Sequence, residues 1–225
     1  MEDLYWERAW RTQELERLKK LLRDRPFDKP QLLEQFRGHG VHSICDAGCG
    51  FGFYASHFAR AGFAVSGLDV SESSVRLTQK LMQQQELLCG EFVAAPVTEI
   101  PFADARFDAT FCNSVIDHMT LADAKRAIGE LERITKQGGL LYLSFDIMDE
   151  DDQAMPHELL PDGSFYYTQG RRNGMILYPH SMQTVRQLLE DRAFFFLREQ
   201  DGQIEALYQN GTAKPQKMER REASC

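Results

Sequence analysis

Ile44-Cys45-Asp46-Ala47-Gly48-Cys49-Gly50-Phe51-Gly52 joins an apolar run to an Asp-x-Gly-x-Gly-x-Gly turn. A second apolar run, Phe63-Ala64-Val65-Ser66-Gly67-Leu68, follows and ends in Asp69. The order reads as strand, glycine-rich turn, helix, strand, carboxylate. Glycines let the backbone approach a ligand where a Cβ would clash. The helix after them offers free N–H groups at its N-terminus. A carboxylate at the tip of the second strand is placed to accept hydrogen bonds from ribose hydroxyls. The layout therefore suits a nucleotide at the C-terminal edge of a parallel sheet.

The dinucleotide fingerprint G-x-G-x-x-G needs its third glycine where this chain has Phe53, which argues against a nicotinamide or flavin cofactor. The variant with Gly48, Gly50 and Gly52 resembles motif I of the class I S-adenosylmethionine-dependent methyltransferases. The resemblance continues: Asp69 sits where that family holds the ribose, and Phe107 to Ser114 resembles its fourth strand and the turn after it. Gly138-Gly139-Leu140-Leu141-Tyr142-Leu143 resembles the entry to its fifth strand. These signals run in order over roughly residues 40 to 146. The resemblance implies a Rossmann-like three-layer α/β sandwich with a seven-stranded, mostly parallel sheet, its last strand antiparallel. It also implies S-adenosylmethionine as cofactor and S-adenosylhomocysteine as product.

At 225 residues the chain is long enough for one domain with a sizeable core. We expect it over residues 1–210, with 1–38 as a helical lid, 147–180 as an inserted substrate-side segment and 211–225 as a disordered tail. A net charge of −8 argues against nucleic acid as a partner, since a polyanion calls for a basic face. No run of eighteen apolar residues is present, so no membrane span is expected. Met1-Glu2-Asp3 does not open a signal peptide, and a cytoplasmic location is the default. The five cysteines (Cys45, Cys49, Cys89, Cys112 and Cys225) are scattered without metal-ligand spacing. Those in strands or the glycine loop read as small buried apolar residues, and no metal is expected.

Leucines at near-helical spacing over residues 2–23 form an amphipathic segment ended by Pro26 and Pro30. A helix from Gln31 to Arg37 follows, with Gly38 as its C′ residue. Strands are then predicted at 42–46, 63–68, 91–94, 107–112 and 139–146, and helices at 52–61, 72–87 and 121–136. Ser71 is a candidate N-cap. Helix 181–192 and strands 193–199 and 203–209 complete the fold, the strands joined by an Asp201-Gly202 turn. Alternating β and α elements imply a parallel sheet with helices on both faces.

Within the resemblance, Asp46, Gly48, Cys49, Gly50, Gly52, Asp69, Asn113 and Ser114 are candidate cofactor contacts, Asn113 for the methionine portion. Leu68 and Val70 can flank the base or be core, and backbone groups near Ala95 and Val97 can meet adenine. Pro96 occupies the place of the family's usual adenine-binding acid, which leaves adenine to other groups. His118 can act as a general base, with Asp117 beside it, or be a capping or solvated histidine. Tyr5 and Trp6 are pocket walls or core. Tyr166, Arg171, Tyr178 and His180 are candidates for an acceptor pocket, with Arg171-Arg172 either gripping an anion or forming a solvated pair.

These signals point to an enzyme that moves a methyl group by in-line displacement to a small-molecule acceptor. The Asn-Pro-Pro-Tyr-type segment that the amino-methylating nucleic-acid and protein-glutamine branches of the family carry is absent, and Asn113-Ser114-Val115-Ile116 stands in its place, which favours such an acceptor. The alternatives are a cofactor-binding regulator without turnover, a methyltransferase acting on RNA or protein, and a nicotinamide oxidoreductase. The sequence leaves the oligomeric state open.

Overall fold

Three short helices open the chain in a computed structural model that describes residues 4–213: α1 (Tyr5–Arg11), α2 (Leu15–Asp24) and α3 (Pro30–Gly38). The amphipathic N-terminal segment is thus broken between Arg11 and Leu15. Within that segment α2 buries two leucines, Leu18 and Leu22, on its inner face, whereas α1 buries none. Pro30 starts α3 rather than merely ending the segment before it, because its missing N–H is an orphan at a first-turn position. Gly38 is the last helical residue, and the left-handed position falls to Gly40 (φ +68°).

The alternating core follows: β1 (Ser43–Ala47), α4 (Phe53–Arg60), β2 (Ala64–Asp69), α5 (Glu72–Gln84), β3 (Phe92–Ala94), β4 (Phe107–Asn113), α6 (Leu121–Ile134) and β5 (Thr135–Asp146). An insertion then carries α7 (Glu150–Ala154) and three very short strands, β6 (His157–Leu159), β7 (Phe165–Tyr167) and β8 (Ile176–Leu177). Helix α8 (Met182–Leu188) leads to β9 (Arg192–Gln200) and β10 (Gln203–Ala213). The expected tail from 211 onward is corrected in part: residues 211–213 continue β10, and residues 214–225, with Cys225, lie outside the described residues.

The seven-stranded sheet has the order β3-β2-β1-β4-β5-β10-β9. Strands β1 to β5 pair in parallel, and β10 inserts antiparallel between β5 and β9. Asp201 and Gly202, both with positive φ, turn β9 into β10 as the dipeptide predicts. The antiparallel insertion makes Gln203 the partner of Asp146, a pairing that matters below.

Side chains alternate across the sheet. Cys45, Ala47, Leu143 and Phe145 join one apolar cluster with Ile128 of α6 and Val185 of α8. Ile44, Phe111 and Tyr142 join the other with Phe36 of α3, Phe58 of α4 and Met82 of α5. Helices therefore cover both faces, the arrangement expected of a parallel sheet with near-continuous apolar strands. Cys45, Cys49 and Cys112 are buried as small apolar residues, and Cys89 is exposed. Among the described residues no helix is long and apolar enough to cross a membrane.

Short polar side chains cap the helices they precede, as predicted for Ser71. Ser71 accepts from the Ser74 N–H at α5, and Thr120 does the same for α6 from Asp123. Several boundaries move: α5 ends at Gln84 and α8 at Leu188, short of the predicted 87 and 192, and the α6/β5 junction shifts. Helix α6 ends at Ile134, and β5 begins at Thr135, pairing with Phe107 before a register shift in the ladder leads into the main run.

Candidate active site

Right-handed β-α-β crossovers put the C-terminal ends of β1, β2, β4 and β5 on one edge of the sheet. There the Asp46-to-Gly52 turn is tied to β2, because Gly48 and Cys49 both donate their N–H to Leu68 O, at 2.8 and 2.9 Å. Gly50 donates its N–H to Asp69 Oδ2 at 2.9 Å, and Ser71 donates its N–H to Asp69 Oδ1 at 2.9 Å. Each carboxylate oxygen thus spends one lone pair on the backbone and keeps capacity for a second donor. Asp69 is only 7% exposed; burial pushes its carboxyl up, against the hydrogen bonds from Ser71 and Gly50. Gly50 has φ +53°, and a Cβ there would stand 3.1 Å from the Trp10 ring, so a side chain would fill the space before the loop.

A cavity of about 620 Å³ opens at this edge, within the range of small-molecule sites. Gly48, Gly50, Asp69, Val70, Val97, Asn113, Ser114, His118 and Trp6 of the predicted residues line it. Asp46, Cys49 and Gly52 do not. Asp46 is 2% exposed beneath the turn, where the Ala55 N–H reaches it and burial pushes its carboxyl up to about 7. Cys49 is buried against Thr78, and Gly52 caps α4 with a left-handed φ of +83°. These three shape the turn from behind.

Helix α1 roofs the cavity. Glu7 accepts hydrogen bonds from Ser71 Oγ (2.6 Å), Ser73 N (3.1 Å) and Ser73 Oγ (2.5 Å) at the N-terminus of α5. Those bonds, led by the one from Ser71, hold its carboxyl down at about 2. Arg8 reaches the other way and donates to Asn173 O of the insertion at 2.5 Å. Helix α1 so bridges α5 and the insertion, with Trp6 and Trp10 facing the cavity between them.

The far end of the cavity is polar. Ser114 has a left-handed φ of +54°, a conformation that costs a non-glycine residue energy and clusters at functional sites. It donates its N–H to Ser144 Oγ (3.0 Å) and its hydroxyl to Asp146 Oδ1 (2.9 Å). A single 3-10 turn, Ile116–His118, then carries Asp117 inward and His118 to the cavity wall. His118 Nε2 is 3.4 Å from Asp117 Oδ2, and the His118 ring meets the edge of Trp6 at 4.7 Å between centroids. Asp117 is fully buried, and burial pushes its carboxyl up to about 6, against the pull of His118. Asp117, His118 and Asp146 each bring one possible ligand atom within 4.8 Å of the others. Sequence spacing gave no sign of this group, because Asp146 comes from a different strand.

The remaining acceptor-side candidates do not line the cavity. Tyr5 packs into the apolar cluster of the insertion with Tyr167, Met175 and Leu177. Tyr166 faces outward on β7, since alternation sends its neighbour Tyr167 to the core. Arg171 lies exposed in the 3-10 turn Gly170–Arg172, and Arg172 is paired with Asp152 and stacked over Tyr167. Tyr178 donates its N–H to Asp117 O, and His180 is buried against Tyr178 and Phe145. Burial pushes the His180 imidazole down to about 4. Conversely, Leu4, Trp10, Pro96, Thr98, Val115, Met119, Asp123, Arg126 and Ile176 line the cavity without having been singled out as contacts. Trp10 carried a usable signal: it stands four residues after Trp6, so the two share one helix face.

Comparison with known proteins agrees with this geometry. Residues 45–143 match the family described as "Methyltransferase domain". A protein of Geobacillus sp. (strain WCH70) assigned as a methyltransferase is 27% identical over 192 residues, covering 83% of this chain and 74% of that protein. The malonyl-(acyl-carrier protein) O-methyltransferase of Erwinia pyrifoliae is 32% identical over 114 residues, 51% of this chain; the match spans 41% of that relative's length. A crystal structure described as a SAM-dependent methyltransferase of Methanosarcina mazei superposes with a TM-score of 0.68 at 19% identity, covering 84% of this chain and 100% of that one. At that identity the likeness is one of fold, and the expected sheet, with its antiparallel strand next to the edge, is the one found.

Proposed function

From the match of residues 45–143 to the methyltransferase-domain family, we propose that this chain is an S-adenosylmethionine-dependent methyltransferase acting on a small molecule. The observation that carries the reading is Asp69. It is a buried carboxylate at the tip of β2, lining the cavity, with both oxygens fixed by backbone N–H groups and still able to accept.

The residues present fit such a cofactor. Asp69 offers acceptors to the two ribose hydroxyls. Gly48 and Gly50 leave the turn bare on the cavity side, and Val70, Pro96 and Val97 give the base an apolar wall. Asn113 and Ser114 offer polar groups toward an amino-acid tail. When bound, the sulfonium cofactor supplies an electrophilic methyl group. What the protein must then do is place an acceptor in line with it, and orientation alone can account for much of the rate. Trp6, Met119 and Ile176 line the acceptor end with apolar surface, and α1 covers part of it from above. A half-open cavity walled in part by Trp6 and Trp10, on a chain of net charge −8, supports a small acceptor over a nucleic acid. Asp117 and His118 are the ionisable pair nearest that end.

Calorimetric titration with S-adenosylmethionine, S-adenosylhomocysteine and NADH tests the proposal. Saturable binding of the two sulfur nucleotides without NADH is the expected result; binding of NADH alone would overturn it.

A further inference from the structure

Asp117 is fully buried, yet neither of its carboxylate oxygens has a hydrogen-bond partner. The backbone of Asp146 lies beside it, and His118 Nε2 stands 3.4 Å away, but no bond of good geometry closes on either oxygen. A buried carboxylate in that state is costly unless something else satisfies it. The same deficit recurs around it. His118 Nδ1 is buried without a partner, and His180, which packs against Phe145, the residue before Asp146, has only the Ile116 backbone beside its ring.

Asp146, by contrast, is held in place. Its Oδ1 accepts from Ser114 Oγ at 2.9 Å and from Gln203 Nε2 at 2.7 Å. Such outer bonds orient a carboxylate toward a cation. One atom each from Asp117, His118 and Asp146 lies within 4.8 Å of the others. Metal–ligand bonds of about 2.0–2.6 Å place donors around one ion roughly 3–5 Å apart. Two carboxylates with one imidazole suit Mn²⁺ or Mg²⁺ better than a thiolate-seeking metal.

We propose that Asp117, His118 and Asp146 form a divalent-cation site at the acceptor end of the cavity. The site stands on its own geometry; its role rests on the methyltransferase reading. A cation there takes an acceptor hydroxyl oxygen as a further ligand. The O–H bond breaks, its proton passes to bulk water, and the electron pair stays on the oxygen that will take the methyl group. The acceptor is then an oxygen compound able to chelate, with a hydroxyl and a second oxygen close by.

The test uses the full chain, stripped with a chelator and titrated with MnCl₂ by calorimetry and by electron paramagnetic resonance. Asp117→Asn, Asp146→Asn and His118→Ala are run alongside, and S-adenosylhomocysteine is titrated into metal-free samples of each. One Mn²⁺ per chain is expected, with each substitution weakening it by at least about tenfold, the scale seen when support for a metal site is lost. The metal-free affinity for S-adenosylhomocysteine is expected to hold in Asp117→Asn, which lies outside the cavity wall. Absence of saturable binding in the unaltered protein, or binding that all three variants retain, overturns the site. Should Asp117→Asn fail to fold, the half-buried Asp146→Asn decides alone. Mn²⁺ binding without S-adenosylhomocysteine binding supports the site and overturns its role in methyl transfer. S-adenosylhomocysteine binding without Mn²⁺ binding overturns the site and leaves the methyltransferase reading standing.

Discussion

Replacing Asp69 by alanine removes two things at once: the acceptors for the ribose and the clamp on the glycine turn. Two hydrogen bonds from hydroxyls to a carboxylate contribute about 1.5–3 kcal/mol each. Losing both would cost about 3–6 kcal/mol of binding, partly offset because the carboxylate no longer has to be kept out of water. The freed Gly50 and Ser71 N–H groups, which Asp69 holds at 2.9 Å, gain no acceptor from alanine, so the turn loosens and adds to the loss. A net loss of about 3–4 kcal/mol corresponds to a Kd weakened by a factor of roughly 10²–10³. Asparagine is a poor rescue, because its amide nitrogen must face either the Gly50 or the Ser71 N–H. The assay is calorimetric titration with S-adenosylhomocysteine, with a thermal melt to show that the variant folds. A folded Asp69→Ala protein whose Kd stays within about threefold, under 1 kcal/mol, would refute the ribose assignment.

Gly50→Val puts a β-branched side chain at φ +53° and against Trp10, so cofactor binding should be abolished while Asp69 remains; calorimetry that finds full affinity would contradict the placement of the turn. Glu7→Gln should loosen α1. Because the Glu7 carboxyl is lowered from 4.5 to about 2, its contribution is full above the ordinary carboxylate value and fades as pH falls from there toward about 2. The Glu7 side chain is 25% exposed, so screening trims the effect to about 1 kcal/mol. Melting temperatures of wild type and variant should therefore differ at neutral pH and converge in acid. Lys29→Met leaves Glu205, 2% exposed, with only Arg198 and Tyr142 as partners; urea unfolding should show a loss of about 2–3 kcal/mol, and an unchanged midpoint would mean that the remaining two suffice.

The β-α-β core is legible in the sequence because its signals are strong and local. Ile44–Asp46 and Val65–Asp69 are apolar runs with a glycine turn between them, and Ser71 announces its helix. The insertion is not legible, since strands of two or three residues such as Ile176–Leu177 are too short to show a period. The break in the N-terminal segment between Arg11 and Leu15 contains neither glycine nor proline, so nothing local marks it. The site divides the same way. Asp69, Asn113 and Ser114 sit at strand ends and His118 in the turn after β4, where topology puts them on the ligand edge. Met119 and Arg126 line the cavity because of how the 3-10 turn and α6 pack, which no stretch of sequence states. Tyr166, Arg171 and Tyr178 fail as cavity residues for the converse reason: an inserted segment rich in aromatics spent Tyr5 and Tyr167 on its own small core and turned the rest outward or toward the backbone.

Gln203 is the first residue of the last strand, and it reaches across to Asp146 and Ser114. Translation delivers it after every other group at the ligand edge. A nascent chain can pair β1 with β2 and close the glycine turn early, but it has nothing to brace Asp146 until β10 slides between β5 and β9. Assembly of the polar end is thus timed to the completion of the sheet, so a prematurely terminated chain would hold a nucleotide-shaped groove without a finished reaction centre.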